Sequence, residues 1–285
     1  MTALAAGVAL LGSLFFALGA VLQQHEAARF QTPRMLVLLR RPAWLAGAAA
    51  SAAGATLHIV ALSLGPLSVV QPMGVASLLF ALPIAAAMHG RSPGRGELAA
   101  ACLVSIGLMG LVLLVPPSSQ TPQLTNAGAV AMLTAIGLAA LACFGLARFS
   151  AGAVRSALLA VAAGVLYGAT ATFTHVVVGG AGDNLWLLAA LPLPAVPALM
   201  LIQRAYAAPA GPDAPGAKSG SGERGRGHFG VAFATLQVAD PLTAVTCGAA
   251  LLGEPLPDHT AIAVAFALVA GAGIAMLART TPLTT

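Results

Sequence analysis

The chain has 285 residues, of which 59% are hydrophobic and only 7% charged, with 13 Lys and Arg against 8 Asp and Glu. Soluble domains carry about 25% charged residues, and so few charges could not cover a water-soluble fold of this length. Lipid removes that difficulty, because apolar side chains can then face outward.

A bilayer crossing needs about 20 mostly apolar residues, and nine runs qualify. Ala3–Leu22 comes first; it has neither a basic leader region nor a compelling small-residue cleavage site and reads as a span. Ala43–Gly65 and Leu67–Met88 follow, separated only by the turn signal Gly65-Pro66, so they form a tight hairpin. The stretch between the first two runs, Phe30 to Pro42, is too short and basic to span. Leu98–Val115, Ala127–Ala147 and Ser156–Val178 come next. Leu185–Ile202 contains Pro192, Pro194 and Pro197, which kink or break a helix. A polar segment, residues 207–228, reads as a flexible linker. Phe229–Leu252 and Thr260–Leu277 complete the set.

The basic residues test this count. With nine spans, all thirteen fall in loops on one side: Arg29, Arg34, Arg40, Arg41, Arg91, Arg95, Arg148, Arg155, Arg204, Lys218, Arg224, Arg226 and Arg279. Basic loops stay cytoplasmic, which predicts the N-terminus outside and the C-terminus inside. It also explains the basic balance as topology, so nucleic acid is not an expected partner. Cys102, Cys143 and Cys247 lie within apolar runs with no CxxC spacing, and read as reduced packing residues rather than a disulfide or zinc framework. The preference for Arg over Lys and the abundance of Ala and Gly point to a bacterial plasma membrane.

Two halves echo each other. Leu67-Ser68-Val69-Val70-Gln71-Pro72 in the third run parallels Leu236-Gln237-Val238-Ala239-Asp240-Pro241 in the eighth, and Gly12-Ser13-Leu14-Phe15-Phe16-Ala17 in the first parallels Gly164-Val165-Leu166-Tyr167-Gly168-Ala169 in the sixth. Spans 1–4 thus pair with spans 6–9, and the fifth is a connector. Spans five apart cross in opposite directions, so the repeats are inverted, a recurring plan of secondary transporters. The expected fold is all-α, a polytopic bundle of about nine spans. Its first repeat covers residues 1–115, its connector 116–155 and its second repeat 156–285.

The run Ala61-Leu62-Ser63-Leu64-Gly65-Pro66-Leu67-Ser68-Val69-Val70-Gln71-Pro72, with Asp240-Pro241-Leu242 through Gly253-Glu254, resembles the drug/metabolite transporter superfamily, nearest its EamA-like and NIPA-like branches. The resemblance implies two inverted repeats and movement of small metabolites, or of magnesium for the NIPA-like branch. It usually implies ten helices; nine are read here, as in NIPA-like members.

Among the acidic residues only Asp240 lies deep in a span. An intramembrane carboxylate is costly and marks a functional site by default. Pro241 strips the carbonyl of Gln237 of its usual helical donor, and Gln237, Asp240 and Thr243 are spaced to share one helix face. Low dielectric favours the neutral acid, which suits proton coupling or cation binding; the bland reading is a structural Asp locking two helices. Gln71 and Pro72 hold the matching place in the other half, for substrate hydrogen bonding or for interhelical contact. His58 sits on a small, polar stripe with Ser51, Gly54 and Ala55. Tyr167 and Thr170 form a polar face with Thr174, below His175. The GxxxG pair Gly164 and Gly168 reads as helix contact. Gln23, Gln24, His25 and Glu26 end the first span as a solvated helix end paired with arginine, or as an inner gate.

No HExxH, Walker A or GxSxG signature is present, so the chain does not read as an enzyme. The leading expectation is a secondary transporter of a small solute by alternating access, with proton coupling through Asp240. The rivals are a magnesium transporter and a non-transporting scaffold. Expected partners are the lipid bilayer and a small-molecule or ion substrate, with a homodimer allowed; no cofactor is expected.

Overall fold

A computed structural model describes residues 2–30, 35–65, 67–116, 122–179, 186–208, 228–255 and 259–280. Every element among them is a helix: α1 (Thr2–Ala27), α2 (Met35–Leu38), α3 (Pro42–Leu64), α4 (Leu67–Met88), α5 (Arg95–Leu114), α6 (Asn126–Arg148), α7 (Gly152–Gly179), α8 (Trp186–Ala190), α9 (Pro192–Tyr206), α10 (Phe229–Leu252) and α11 (Thr260–Thr280). Eight helical segments among the described residues are long and apolar enough to cross a membrane, α8 and α9 counting as one. The chain is therefore a multi-pass helical membrane protein. Large apolar residues such as Ile106 on α5, Leu138 and Leu141 on α6 and Leu268 on α11 point outward, as lipid-facing helices require.

A helix falls on each of the nine apolar runs. The third is α4, whose side chains are described at Val70 and from Met73 onward. In the seventh run Pro192 stops α8 at Ala190. Leu191 N–H still donates to Leu187 O at 2.9 Å and Ala195 N–H to Leu191 O at 3.2 Å, so the ladder is bent rather than cut. The basic stretch after the first run contributes only the four-residue α2. Of the linker read over 207–228, residues 209–227 lie outside the described part.

Printed contacts fix the helix directions. Gly12 meets Gly54 and Gly19 meets Gly47, so α1 and α3 run antiparallel with backbones nearly touching. A methyl on Gly54 would come within 2.7 Å of Gly12 O. α1 and α4 run parallel, Ser13 meeting Met73 and His25 meeting His89. The second half repeats this plan: α7 and α9 pack together, and α7 runs parallel to α10, with Gly164 against Ala239 and Gly168 against Thr243. Between the halves α4 and α10 run antiparallel, Ser77 meeting Gln237 and Leu82 meeting Gly230. α5 and α11 also pack antiparallel through Gly107 against Ala270 and Gly273 against Val104. These small residues permit the close approach on which packing in lipid depends.

Candidate functional site

A cavity of about 1050 Å³ lies between the two groups of helices. Its walls come from α1, α3, α4 and α5 on one side and from α7 and α10 on the other. Asp240 lines it from near the middle of α10, a 24-residue helix about 36 Å long. Pro241, the next residue, also faces the cavity. Because proline has no N–H, the Gln237 carbonyl one turn earlier loses its helical donor, and this section of α10 offers polar groups in an otherwise apolar interior.

The Gln237 side chain also lines the cavity, and its Nε2 donates to Ser77 Oγ at 2.7 Å. That bond joins α10 to α4 across the seam. Ser77 is 2% exposed, so its hydroxyl has no water to replace the contact and the bond outlasts an exposed equivalent. Opposite them, Ser13 on α1 donates to Met73 O at 2.7 Å, one residue beyond Pro72. Tyr167 on α7 lines the cavity within electrostatic reach of Asp240. Thr170 lines it one turn further along and donates its hydroxyl proton to Leu166 O at 3.0 Å, leaving its oxygen free to accept. His58 lines the α3 wall, its Cε1 close over Gly74 of α4.

The Asp240 carboxylate has no hydrogen-bond or ion-pair partner among the described residues, and none of the described residues lining the cavity is Lys or Arg. A half-buried carboxylate left in this way, against so apolar a wall, is costly unless a proton or a cation joins it. A histidine–carboxylate contact lies at the mouth of the cavity. α10 ends with Gly253 in the left-handed conformation (φ 68°), and Glu254 N–H bonds back to Gly248 O at 3.1 Å. This Schellman turn folds the Glu254 carboxylate back against Gly248, where its Oε1 lies 3.0 Å from His175 Nε2.

Of the residues nominated from sequence, Asp240, Gln237, His58, Tyr167 and Thr170 are thus brought to one cavity, together with Pro241. Thr243 is not among its lining residues: it packs over Gly168 and donates to Ala239 O at 2.8 Å. The side chains of Gln71 and Pro72 lie outside the described part. Ser13 and Ser77 were not nominated; Ser13 is the lone hydroxyl of its apolar run, a signal that could have found it, whereas Ser77 shares its run with Ser68 and only the packing of α4 against α10 singles it out.

No family model and no solved structure matches this chain. A stretch of 123 residues is 33% identical to an uncharacterized protein of Corynebacterium glutamicum. The match covers 40% of this chain and 42% of that protein, so the chain spans under half the length of the relative it matches.

A second, smaller cavity of about 190 Å³ lies between α5, α10 and α11. It shares Leu108, Val112 and Pro241 with the first, so the two meet at the proline break.

Proposed function

We propose that this chain is a secondary transporter of the bacterial plasma membrane, a carrier rather than an enzyme. It moves a small solute through the Asp240 cavity by alternating access. The observation that carries this reading is Asp240 itself: a mid-helix carboxylate, beside a proline break, facing a cavity between two groups of helices with no Lys or Arg among the described residues of its walls. A scaffold whose polar residues only join helices has no use for that arrangement, since an unpaired carboxylate within a membrane span weakens the fold.

In this reading the halves are inverted repeats, residues 1–115 and 156–285, joined by the connector at 116–155. It has nine crossings, with the N-terminus outside. The antiparallel course of α4 and α10 supports the inversion, as does the shared plan of α1 with α3 and α4 and of α7 with α9 and α10. So does the gathering of described arginines at one end of the helices. The resemblance to EamA-like members of the drug/metabolite transporter superfamily agrees with this plan. Asp240 takes up a proton when no solute neutralises it and releases it when one does, which couples flux to the proton gradient.

Reconstituted vesicles screened with metabolites and drug-like compounds provide the test. Asp240→Asn is expected to abolish pH-dependent flux of whichever compound the wild type carries. Flux with unchanged pH dependence overturns the coupling role. Magnesium, the rival cargo on the same fold, is favoured instead if the chain rescues a magnesium-starved strain and no organic solute moves.

A further inference from the structure

The connection between the first two spans carries an amphipathic turn. α2 is pinned by Leu38, which is fully buried. Leu39 N–H donates to Met35 O and Arg41 N–H to Leu38 O, both at 2.9 Å, so the turn runs directly into α3 at Pro42. Around Leu38 the neighbouring apolar side chains face outward: Leu36 is 76% exposed, and Val37 and Leu39 are exposed with it. Water makes such a cluster unfavourable, whereas the acyl chains at the edge of a bilayer accept it. Leu36 and Val37 also line an open groove of about 580 Å³, together with Arg40, Arg41 and Pro42.

We infer that this groove binds an anionic phospholipid from the leaflet at the arginine-bearing ends of the helices, its phosphate held by Arg40 and Arg41 and an acyl chain lying over Leu36 and Val37. The inference goes beyond the transport reading and does not depend on what the chamber carries. Charge selects the head. None of the described residues lining the groove is acidic, and Arg40 has no carboxylate partner among the described residues. Arg41 is only partly engaged: its guanidinium lies 4.0 Å from Glu26 Oε2 and 5.5 Å from the centre of the Phe30 ring, with 44% of the side chain exposed. Guanidinium groups match the oxygens of a phosphate in pairs, and their apolar stems let the charges reach headgroup level while the leucine stays in hydrocarbon. The exposed apolar residues select the tail. A free phosphate satisfies the arginines and leaves Leu36 and Val37 in water. A zwitterionic lipid covers the apolar side chains but brings a cation that two arginines repel. A lipid with a net negative head answers both.

The test places a bimane dye at Leu36→Cys in the full chain, with Cys102, Cys143 and Cys247 replaced by alanine, and reads its fluorescence in lipid nanodiscs. The dye should emit at the blue wavelength of an apolar medium. Dibrominated phosphatidylglycerol should quench it in preference to dibrominated phosphatidylcholine. Arg40→Gln should lower that preference about fivefold, the worth of one arginine at an anionic surface. Excess inorganic phosphate, added at constant ionic strength, should leave the preference intact. If the labelled variant does not assemble, Leu39→Cys, exposed on the same turn, gives the same readings. Emission at the wavelength of water, equal quenching by the two lipids, or a preference indifferent to Arg40→Gln overturns the inference. So does a preference erased by inorganic phosphate, which would assign the arginines to a free anion instead.

Discussion

From Asp240 the interior of the bundle can be followed in two directions, and they differ in kind. Toward the ends of the helices that lack arginine, the cavity continues past Thr170, Thr174 and His175 to Val178 on α7, a residue 81% exposed. Toward the arginine-bearing ends it stops at Phe16 on α1. Below Phe16 a chain of rings fills the space: Phe16 to Phe233 at 6.5 Å, Phe233 to Phe229 at 5.5 Å, and Phe229 to Tyr206 at 5.5 Å between centroids. Beneath the rings, Trp44 Nε1 on α3 donates to Gln203 Oε1 on α9 at 3.2 Å, and Gln203 Nε2 donates to Gln23 Oε1 on α1 at 2.8 Å. One end is open chamber, the other is sealed by stacking and by a three-residue hydrogen-bond chain that crosses from one half to the other.

The sealed end also has loose threads. Gln24 is fully buried with both side-chain polar atoms unpartnered, His89 Nε2 is likewise without a hydrogen bond, and Glu26 Oε2 has only the Arg41 guanidinium at 4.0 Å. Each such group costs about 1–3 kcal/mol when water is withheld. A permanently closed end would be more stable with apolar residues there. The comparison teaches that this end is closed at a cost that hydration would return, which fits the alternating access proposed above.

Three experiments can break or sharpen that contrast. The largest effect is expected from a bifunctional thiol cross-linker applied to Gln23→Cys/Gln203→Cys, in a background where Cys102, Cys143 and Cys247 are replaced by alanine. Solute flux in vesicles should fall to background and return on reduction; undiminished flux in the cross-linked protein means the sealed end is static. Next, Gln203→Leu removes the centre of the chain joining α1, α3 and α9. A cysteine placed at position 24 should then react about tenfold faster with a membrane-impermeant thiol reagent supplied from the arginine side. No change in labelling rate would show that the rings alone hold the seal. Smallest, Gln24→Met keeps the volume and deletes the unpartnered amide, and should raise stability in denaturant titration by about 1–2 kcal/mol. A loss of stability would mean that Gln24 is already hydrated.

Much of this architecture was legible in the sequence because lipid imposes so strict a rule. A run such as Phe229–Leu252 has one way to satisfy its backbone in hydrocarbon, and α10 covers those residues. Asp240 and Gln237 were visible for the same reason, being polar where polarity is expensive. Thr243 was misdirected by spacing alone: three residues on from Asp240 it has turned far enough to meet α7, and its hydroxyl bonds back to Ala239 O. Gln23 to Glu26 were read as a solvated helix end paired with arginine, or as an inner gate; α1 continues to Ala27 and packs there against α9 and against His89, the residue after α4. Glu26 does pair with Arg29 at 3.3 Å, but only 5% of its side chain is exposed. Helix-to-helix packing determines which polar ends are covered, and no local pattern encodes it. The side pocket, with walls drawn from three helices far apart in sequence, was beyond reach for the same reason.

The facing glycines carry a mechanical consequence. Where Gly12 and Gly54 touch, or where Gly107 lies against Ala270, the two backbones have no side-chain cushion between them to deform. Such pairs behave as girders bolted flange to flange, and thermal motion cannot readily shear them. α1 must travel with α3, and α7 with α10. The α5–α11 couple takes one member from each end of the chain, so it ties those two heavier beams together.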